Sequence, residues 1–578
     1  MGLGAAFQIG RSALTASQLG VQVASNNLSN AATPGYSRQT IDLQSLPGDG
    51  SGFSGQIGRG VRFAGVRRQI DPAIEARFNA SISESAAAGE LLRSFSGIET
   101  TLNELTDLDL SSELGAFFTG WSELSNGTQA QPQVIQQGEL LAGFIKRIRS
   151  DLTNQRNEFD QRLGSLVKDA DSKLTEIARL NEQITSSEAG GAQNNPLRDQ
   201  RDQLVRELSE AMDVTVIEQA SGAIDVLVGS SPVVLGSKSQ GLELREVPKG
   251  DSIERRVAVR STNQVLDINS GSIGGVLESR DGPIDDTIAR LDSIAGQLIF
   301  QVNSLHATGA TERGLTKAES TLRFSLSDQT LALNNPANLA IKNVPVAPTN
   351  GGFLVRTKDE STGAISTTRI DIDLDGLDSA GQPSFTDDTT LSDIVADLDA
   401  ISGLSATLGS DGRIKITASA GTSFTFGQDS SGVLATLGIN SYFTGSDASD
   451  IDVNTDLVNN PQSLMTGRFI DDTFHENGTS LAIADLQDNG LEALGGESIS
   501  SFWRTSVQKI SVQTGSAKVI ADSTALVRDG LESQRLALSG VDTNEESLDL
   551  LAFQKAYQGA ARIIQTTNQM LDTLINLI

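Results

Sequence analysis

Chemistry that depends on sulfur is excluded first: the chain has no cysteine, so thiolate nucleophiles, Cys-ligated metals and disulfides are all ruled out. The two histidines, His306 and His475, lie far apart, and neither has a second His or a Gly-framed serine of the G-x-S-x-G type beside it. His306 falls at the end of a predicted helix and reads as a capping or structural residue. Gly50, Gly52 and Gly55 match the dinucleotide spacing G-x-G-x-x-G, but Gln56 to Val66 continues as a glycine-containing strand where that fold opens a helix, so the segment reads as a surface loop. Asp371, Asp373, Asp375 and Gly376 imitate the start of a calcium loop, yet Gln382 stands where the bidentate Glu belongs. Ile370, Ile372 and Leu374 alternate with those acids, which predicts a solvated strand face, with calcium as the open alternative. Among 73 acidic residues, carboxylate pairs say nothing specific about glycoside chemistry. The expectation is a non-enzyme without a catalytic set, metal or cofactor.

Charge is distributed unevenly. The formal net charge is −29, and between Asp359 and Asp456 there are 17 acids against Arg369, Arg413 and Lys415. Such a surface repels phosphate backbones and anionic headgroups, so neither nucleic acid nor membrane is expected as a partner. The one basic concentration is Arg59, Arg62, Arg67, Arg68 and Arg77. It reads either as a solvated face with ion pairs worth little each or as a subunit contact through Arg59, Arg62, Arg67 and Arg68 with an acidic surface of a neighbour.

With no chemistry to position, the long elements carry the information. Leu3, Phe7, Gly10, Leu14, Ser17, Val21, Ala24 and Leu28 recur at alternating spacings of four and three, an amphipathic heptad helix with small residues along its row. It stops where Asn26, Asn27 and Asn30 lead into Thr33-Pro34-Gly35-Tyr36, because proline cannot continue a helix and Pro-Gly suits the centre of a type II turn. The other end repeats the pattern: Leu550, Phe553, Tyr557, Ala560, Ile564, Thr567, Leu571, Leu574 and Ile578, widened by Ala556, Ile563, Met570 and Leu577. Thr543 with Glu546 three residues on reads as its capping box. At 1.5 Å per residue these helices are roughly 40 and 50 Å long. Their apolar rows (Leu3, Phe7, Leu14, Val21 and Leu28; Leu550, Phe553, Tyr557, Ile564, Leu571, Leu574 and Ile578) are the expected assembly interface. Isolated helices of this length are marginal in water, so both ends are expected to be mobile in the free chain and to fold on assembly.

At 578 residues, two to four folded units are expected. The pattern predicts a mainly α, discontinuous, elongated protein with β insertions. Residues 1–33 and 543–578 pair as a terminal coiled coil, and 34–320 with 466–542 form a helical rod carrying a small β element at about 213–275. Residues 321–465, rich in Ser, Thr, Asp and Gly with short alternating strands, form an acidic β-rich outer region. The start of the sequence has no basic stretch before its apolar residues, and no run nears the roughly 18 apolar residues of a membrane helix, so a route reading no cleavable signal is expected.

The termini resemble the axial (rod, hook and filament) proteins of the bacterial flagellum. The resemblance rests on NNLSNAATPGYSRQ at Asn26 to Gln39 and on SGVDTNEESLDLLAFQKAYQGAARIIQTTNQMLDTLINL at Ser539 to Leu577. PLRDQRDQLVRELSEAMDVTV at Pro196 to Val216, NSLHATG at Asn303 to Gly309 and SLAIADLQD at Ser480 to Asp488 are similar to the hook-filament junction members. Thr390 to Gly445 resembles the module called the flagellin hook IN motif. Asp542-Thr543-Asn544 departs from the family's usual Asn-Leu-Asp. The resemblance implies a secreted, extracellular structural subunit exported through the flagellar type III channel and needed for filament assembly and motility. It implies as partners the hook protein, the next hook-associated protein on the filament side, further copies in a ring, and an export chaperone for the C-terminal helix. Another axial protein, or a surface adhesin working through the acidic β region, is the alternative.

Overall fold

A computed structural model describes residues 3–47, 58–102, 109–127, 129–249, 252–470 and 473–576. Gly50, Gly52, Gly55, Leu577 and Ile578 lie outside the described residues. The protein is mainly α with β insertions, as its periodicity predicts. In chain order come α1 (Leu3–Asn30), β1 (Gln39–Ser45), β2 (Val61–Arg68), α2 (Pro72–Leu102), α3 (Leu110–Ser125), α4 (Gln131–Glu188) and α5 (Asn195–Ala211). Six strands follow: β3 (Val214–Glu218), β4 (Ile224–Val228), β5 (Ser231–Leu235), β6 (Lys238–Ser239), β7 (Leu242–Lys249) and β8 (Ser252–Val259). Next are α6 (Gly271–Ser279), α7 (Asp285–Ala307), β9 (Lys317–Glu319), β10 (Gly351–Asp359), β11 (Ile365–Ile372), α8 (Leu391–Asp399), β12 (Leu404–Leu408), β13 (Ile414–Ala418) and β14 (Thr422–Gly427). The helices α9 (Gly478–Asp485), α10 (Ile499–Ser539) and α11 (Thr543–Asn576) complete the chain.

Local sequence sets many of these boundaries. Asp109 caps α3 by accepting from Ser112 N at 2.6 Å. Asn194 caps α5, where Pro196 is tolerated in the first turn because its missing N–H would be unpaired anyway. Thr390 and Asp393 form a reciprocal capping box at α8, within the segment resembling the hook IN motif.

The chain divides into two compact units. The first comprises Met1–Arg93, Glu158–Arg280 and Ser516–Ile578. In it β3 to β6 form an antiparallel sheet in sequence order, and β1–β2 and β7–β8 are separate hairpins. The buried α4 residue Asn181 pins that sheet, donating to Ile224 O at 2.7 Å and Gly236 O at 2.6 Å and accepting from Ile224 N at 3.1 Å. On α5, Arg198 bonds Glu188 and Glu218 at 2.7 and 2.6 Å, while the buried Arg201 donates to Gly222 O at 2.7 Å. The charged string Pro196 to Val216 is therefore a set of interior ties, not a solvated face.

The second unit comprises Ser94–Asn157 and Asp281–Gly515. Although aromatics make up only 4% of the sequence, Phe117, Phe118 and Trp121 of α3 gather with Tyr442, Phe443 and His306 of α7 into one buried cluster. Edge-to-face pairs of this kind add about 0.5–1.5 kcal/mol beyond burial. The β-rich part has two sheets, ordered β11-β10-β14 and β12-β13-β9. Their inner residues, among them Phe353, Ile370, Ile416 and Phe424, share a core with Leu391, Ile394 and Leu398 of α8.

Candidate functional site: the paired terminal helices

Helices α1 and α11 pack antiparallel. The register is fixed by three points: Asn27 beside Glu546, Gly20 against Phe553, and Gly10 against Ile563 and Ile564. The small residues expected along the α1 row explain the closeness. A Cβ on Gly20 would fall 2.5 Å from the Phe553 ring, and one on Gly10 would meet Ile564 at 3.1 Å. Buried on α1 are Gly10, Ala16, Ser17, Gly20, Ala24 and Asn27, and on α11 Glu546, Ala560 and Thr567.

The apolar residues singled out from sequence divide into two groups. Leu3, Phe7, Leu14 and Val21 of α1, and Leu550, Phe553 and Ile564 of α11, are half-buried along the pair. Leu28, Tyr557, Leu571 and Leu574 remain exposed. Beside them, Leu548 (67% exposed), Leu551 (55%), Ile563, Met570 (53%) and Ile575 also face solvent. Thus α1 covers most of the α11 row between Leu550 and Thr567, while apolar side chains at the far end of that row, Leu571 and Leu574, and on other faces, Leu548, Leu551, Met570 and Ile575, stay open, whereas an ordinary surface helix turns its polar face outward.

Where the chain leaves α1, a cluster of polar side chains is buried against the start of α11. Asn27 is 1% exposed and Glu546 2%. Asn27 Nδ2 donates to Glu546 Oε2 at 3.0 Å and to Gln39 O at 2.8 Å; its Oδ1 accepts from Tyr36 OH at 2.8 Å and from Gln39 N at 3.1 Å. All four of its hydrogen-bonding positions are filled. Arg38 donates from Nε to Glu546 at 2.7 Å and extends to Glu545 at 2.8 Å and Asp549 at 3.3 Å. Burial, then the charges of Asp199 and Glu546, push the Tyr36 hydroxyl up to about 12, so it stays a donor. The Pro34-Gly35 turn that presents Tyr36 has Gly35 at φ +79° and a bond from Tyr36 N to Thr33 O at 3.2 Å, as a type II turn requires.

The expected capping box at Thr543 and Glu546 does not form. Asp542, one residue earlier, caps α11, accepting from Asn544 N at 2.7 Å and Glu545 N at 3.4 Å. Aspartate caps better than threonine, and Glu546 is occupied by Asn27 and Arg38. One clue in the sequence pointed there: Glu546 sits one turn before Leu550, a charge on an otherwise apolar row.

The arginines of β1–β2 separate. A β-bulge after Asp42 breaks the alternation of side chains along the hairpin. Arg59 and Arg62 are exposed, Arg62 donating to Gln44 at 2.6 Å, and Arg67 is exposed and pairs with Asp42 at 2.6 Å. Arg68 points inward to Asp199 at 3.0 Å and Asp202 at 2.7 Å on α5. It ties the hairpin to its own chain.

Chemistry elsewhere stays modest. His306 is buried, with Nδ1–H donating to Asn440 O at 2.7 Å and Nε2 accepting from Met465 N at 3.1 Å; burial pushes its pKa down to about 4. It is the structural histidine its helix-end position suggested. The expected strand face holds at Asp371, exposed between the buried Ile370 and Ile372, and stops there: β11 ends at Ile372, and Asp373 and Asp375 enter a loop of Asx turns. Together with Asp388 they bring carboxylate oxygens within 4.8 Å of one another, but Asp388 is already bonded to Asn334 Nδ2 at 2.8 Å and Gly376 N at 3.2 Å. A cleft of about 1020 Å³ opens beside Pro34 and Gly35, lined by both signs of charge, including Arg38, Arg206, Arg535, Glu207 and Glu545. Neither histidine lines it.

Comparison with known proteins shows what these features are similar to. The flagellar hook-associated protein FlgK helical domain matches residues 95–319, the flagellar basal body rod FlgEFG protein C-terminal domain matches 532–577, and the flagella basal body rod protein domain matches 7–36. The last two fall on α11 and α1. Flagellar hook-associated protein 1 of Escherichia coli is 26% identical, over 98% of each chain. The protein of that name in Bacillus subtilis is 24% identical, over 99% of this chain and 97% of its own. A solved flagellar hook junction protein from Burkholderia pseudomallei aligns at a TM-score of 0.47 with 16% identity, covering 79% of this chain and 99% of its own, a likeness that carries none of the argument. With the rod-type domains on the paired terminal helices and the hook-associated domain between them, the chain is similar over nearly its whole length to flagellar hook-associated protein 1.

Proposed function

We propose that this chain is the structural subunit that joins hook to filament in the bacterial flagellum, outside the cell. The observation that carries the mechanism is the set of apolar side chains on α11, Leu571 and Leu574 at the end of the row among them, that stay exposed after α1 has packed against it. Each leucine or phenylalanine buried there by a neighbour contributes about 1.5–3 kcal/mol, repeated at every subunit of a ring. In this reading the neighbours are copies of the same chain, the hook protein on one side and the next hook-associated protein on the other. An export chaperone covers the same row of α11 before secretion. The exposed arginines Arg59, Arg62 and Arg67 are candidates for a further contact between subunits. The adhesin alternative is not favoured, since the correspondence to hook-associated protein 1 runs through the acidic β region as well.

Leu571→Asp tests the reading, because Leu571 is exposed in the single chain and its replacement leaves the folded units intact. Complementing a strain that lacks this chain with the variant should restore neither swimming nor attached filaments, while the purified variant keeps its helix content. Normal filaments would remove the α11 row from the assembly surface.

A further inference from the structure

Helices with heptad rows share a weakness: shifting one along the other by seven residues matches apolar to apolar again. On α11 the row Leu550, Phe553, Tyr557, Ala560, Ile564, Thr567, Leu571 and Leu574 is regular enough to allow this. After a one-heptad slip, Gly20 would face Ala560 in place of Phe553, and Gly10 would face Met570 in place of Ile563. Apolar residues again face the two glycines, although Ile563 would then meet Ser17 in place of Gly10. Asn27, however, would face Phe553, and Glu546 would leave both Asn27 and Arg38.

We infer that Asn27 and Glu546 are the register key of the terminal helix pair, selecting one of several apolar-compatible alignments. The reason is an asymmetry in cost. In the observed register every hydrogen-bonding position of Asn27 is used, and both Glu546 oxygens are held, Oε2 by Asn27 and Oε1 by Arg38. In a slipped register the same groups are buried against carbon or expelled, and an unpaired buried polar group costs far more than a made bond contributes. The apolar contacts distinguish alignments only through the close fits at Gly20 and Gly10; the polar cluster adds the cost of buried groups left unpaired. Its role therefore goes beyond stabilising the pair. For a subunit whose α11 row must meet neighbours in order, a seven-residue slip would displace that row by about 10 Å. The inference rests on the assembly reading only for its consequence; the register itself is a property of the single chain.

The cysteine-free sequence makes the test direct. A Cβ on Gly10 would lie 3.6 Å from Ile563 Cβ, within the span of a disulfide. The pair Gly10→Cys with Ile563→Cys reports the native register, and Gly10→Cys with Met570→Cys reports a slip of one heptad. In the otherwise unchanged full chain, only the 10–563 pair should oxidise. In the Asn27→Leu, Glu546→Leu background, helix content should persist and the 10–570 disulfide should rise at least tenfold. Glu546→Gln, which retains a carboxamide oxygen for Asn27, should stay with the 10–563 pair. The inference is overturned if the leucine background still yields the 10–563 disulfide alone, which would assign register to the Gly20–Phe553 fit. It is equally overturned if neither disulfide forms, which would make the cluster a clamp and not a selector. Because cross-linking reads α1 against α11 without any neighbour, its failure is separable from failure of the junction function.

Discussion

Replacing Gly20 by alanine opposes two effects of known size. Within a helix the exchange is intrinsically favourable by about 1 kcal/mol, since glycine loses more backbone freedom on folding. Here the added methyl would fall 2.5–2.6 Å from three carbons of the Phe553 ring, so the ring must retreat by about 1 Å, the distance to ordinary contact. Overpacking of this kind costs about 1–3 kcal/mol. Gly559 on α11 provides the control, because a Cβ there meets nothing within 4 Å. Gly559→Ala should stabilise the pair by up to about 1 kcal/mol. Gly20→Ala should be neutral to destabilising by about 2 kcal/mol, the clash less the propensity gain. Hydrogen exchange of α1 amides reads the difference locally, since about 1.4 kcal/mol is a tenfold change in the opening constant. Phe553→Leu added to Gly20→Ala should recover part of the loss, which a double-mutant cycle would register as coupling. If Gly20→Ala raises protection as much as Gly559→Ala, the close approach of α1 to α11 is wrong.

Arg68→Met would leave Asp199, almost fully buried, without its cation, while Asp202 would keep Arg201 at 3.2 Å. Breaking a buried pair costs about 3–5 kcal/mol, toward the lower end here because Asp202 reaches solvent. Burial already holds the Asp199 pKa above its usual value, and losing Arg68 raises it further, so the deficit in urea titrations should shrink as pH falls and Asp199 takes up a proton. His306 predicts a second pH dependence. Its folded pKa of about 4 lies below the unfolded value of about 6.5, so its contribution is complete above pH 6.5 and is lost as pH falls toward 4, by about 3 kcal/mol in all. His306→Gln, unable to take up that proton, should flatten this window in denaturant titrations between pH 7 and pH 4; an unchanged slope would contradict the assignment.

What the sequence revealed follows from the range over which each signal acts. Heptad rows are local and recur over four or more heptads, so α1 and α11 were legible to within a few residues, as was the Pro34-Gly35 turn. Glu546 was misread because a Thr with Glu three residues later satisfies a local rule, whereas the partners that claim it, Asn27 and Arg38, lie more than five hundred residues away. Asn27 and Tyr36 stood within the motif that marked the family, yet nothing in that string says that an asparagine at a helix end will be buried. Four arginines close in sequence suggested one patch, but neighbours on a strand take opposite faces, so Arg68 turns inward where Arg67 turns out. The acids after Ile370 alternate as a strand would, but Asp375-Gly376 turns the chain before the alternation can continue.

As proposed, this chain is a joint whose terminal helices, paired in one register, present exposed apolar side chains to neighbouring subunits. Electron microscopy of purified hook-basal bodies carrying filaments, with an antibody against this chain, tests it most directly. Label confined to a single band between hook and filament is the predicted result. Label distributed along the filament, or absent from the axial structure, would contradict it.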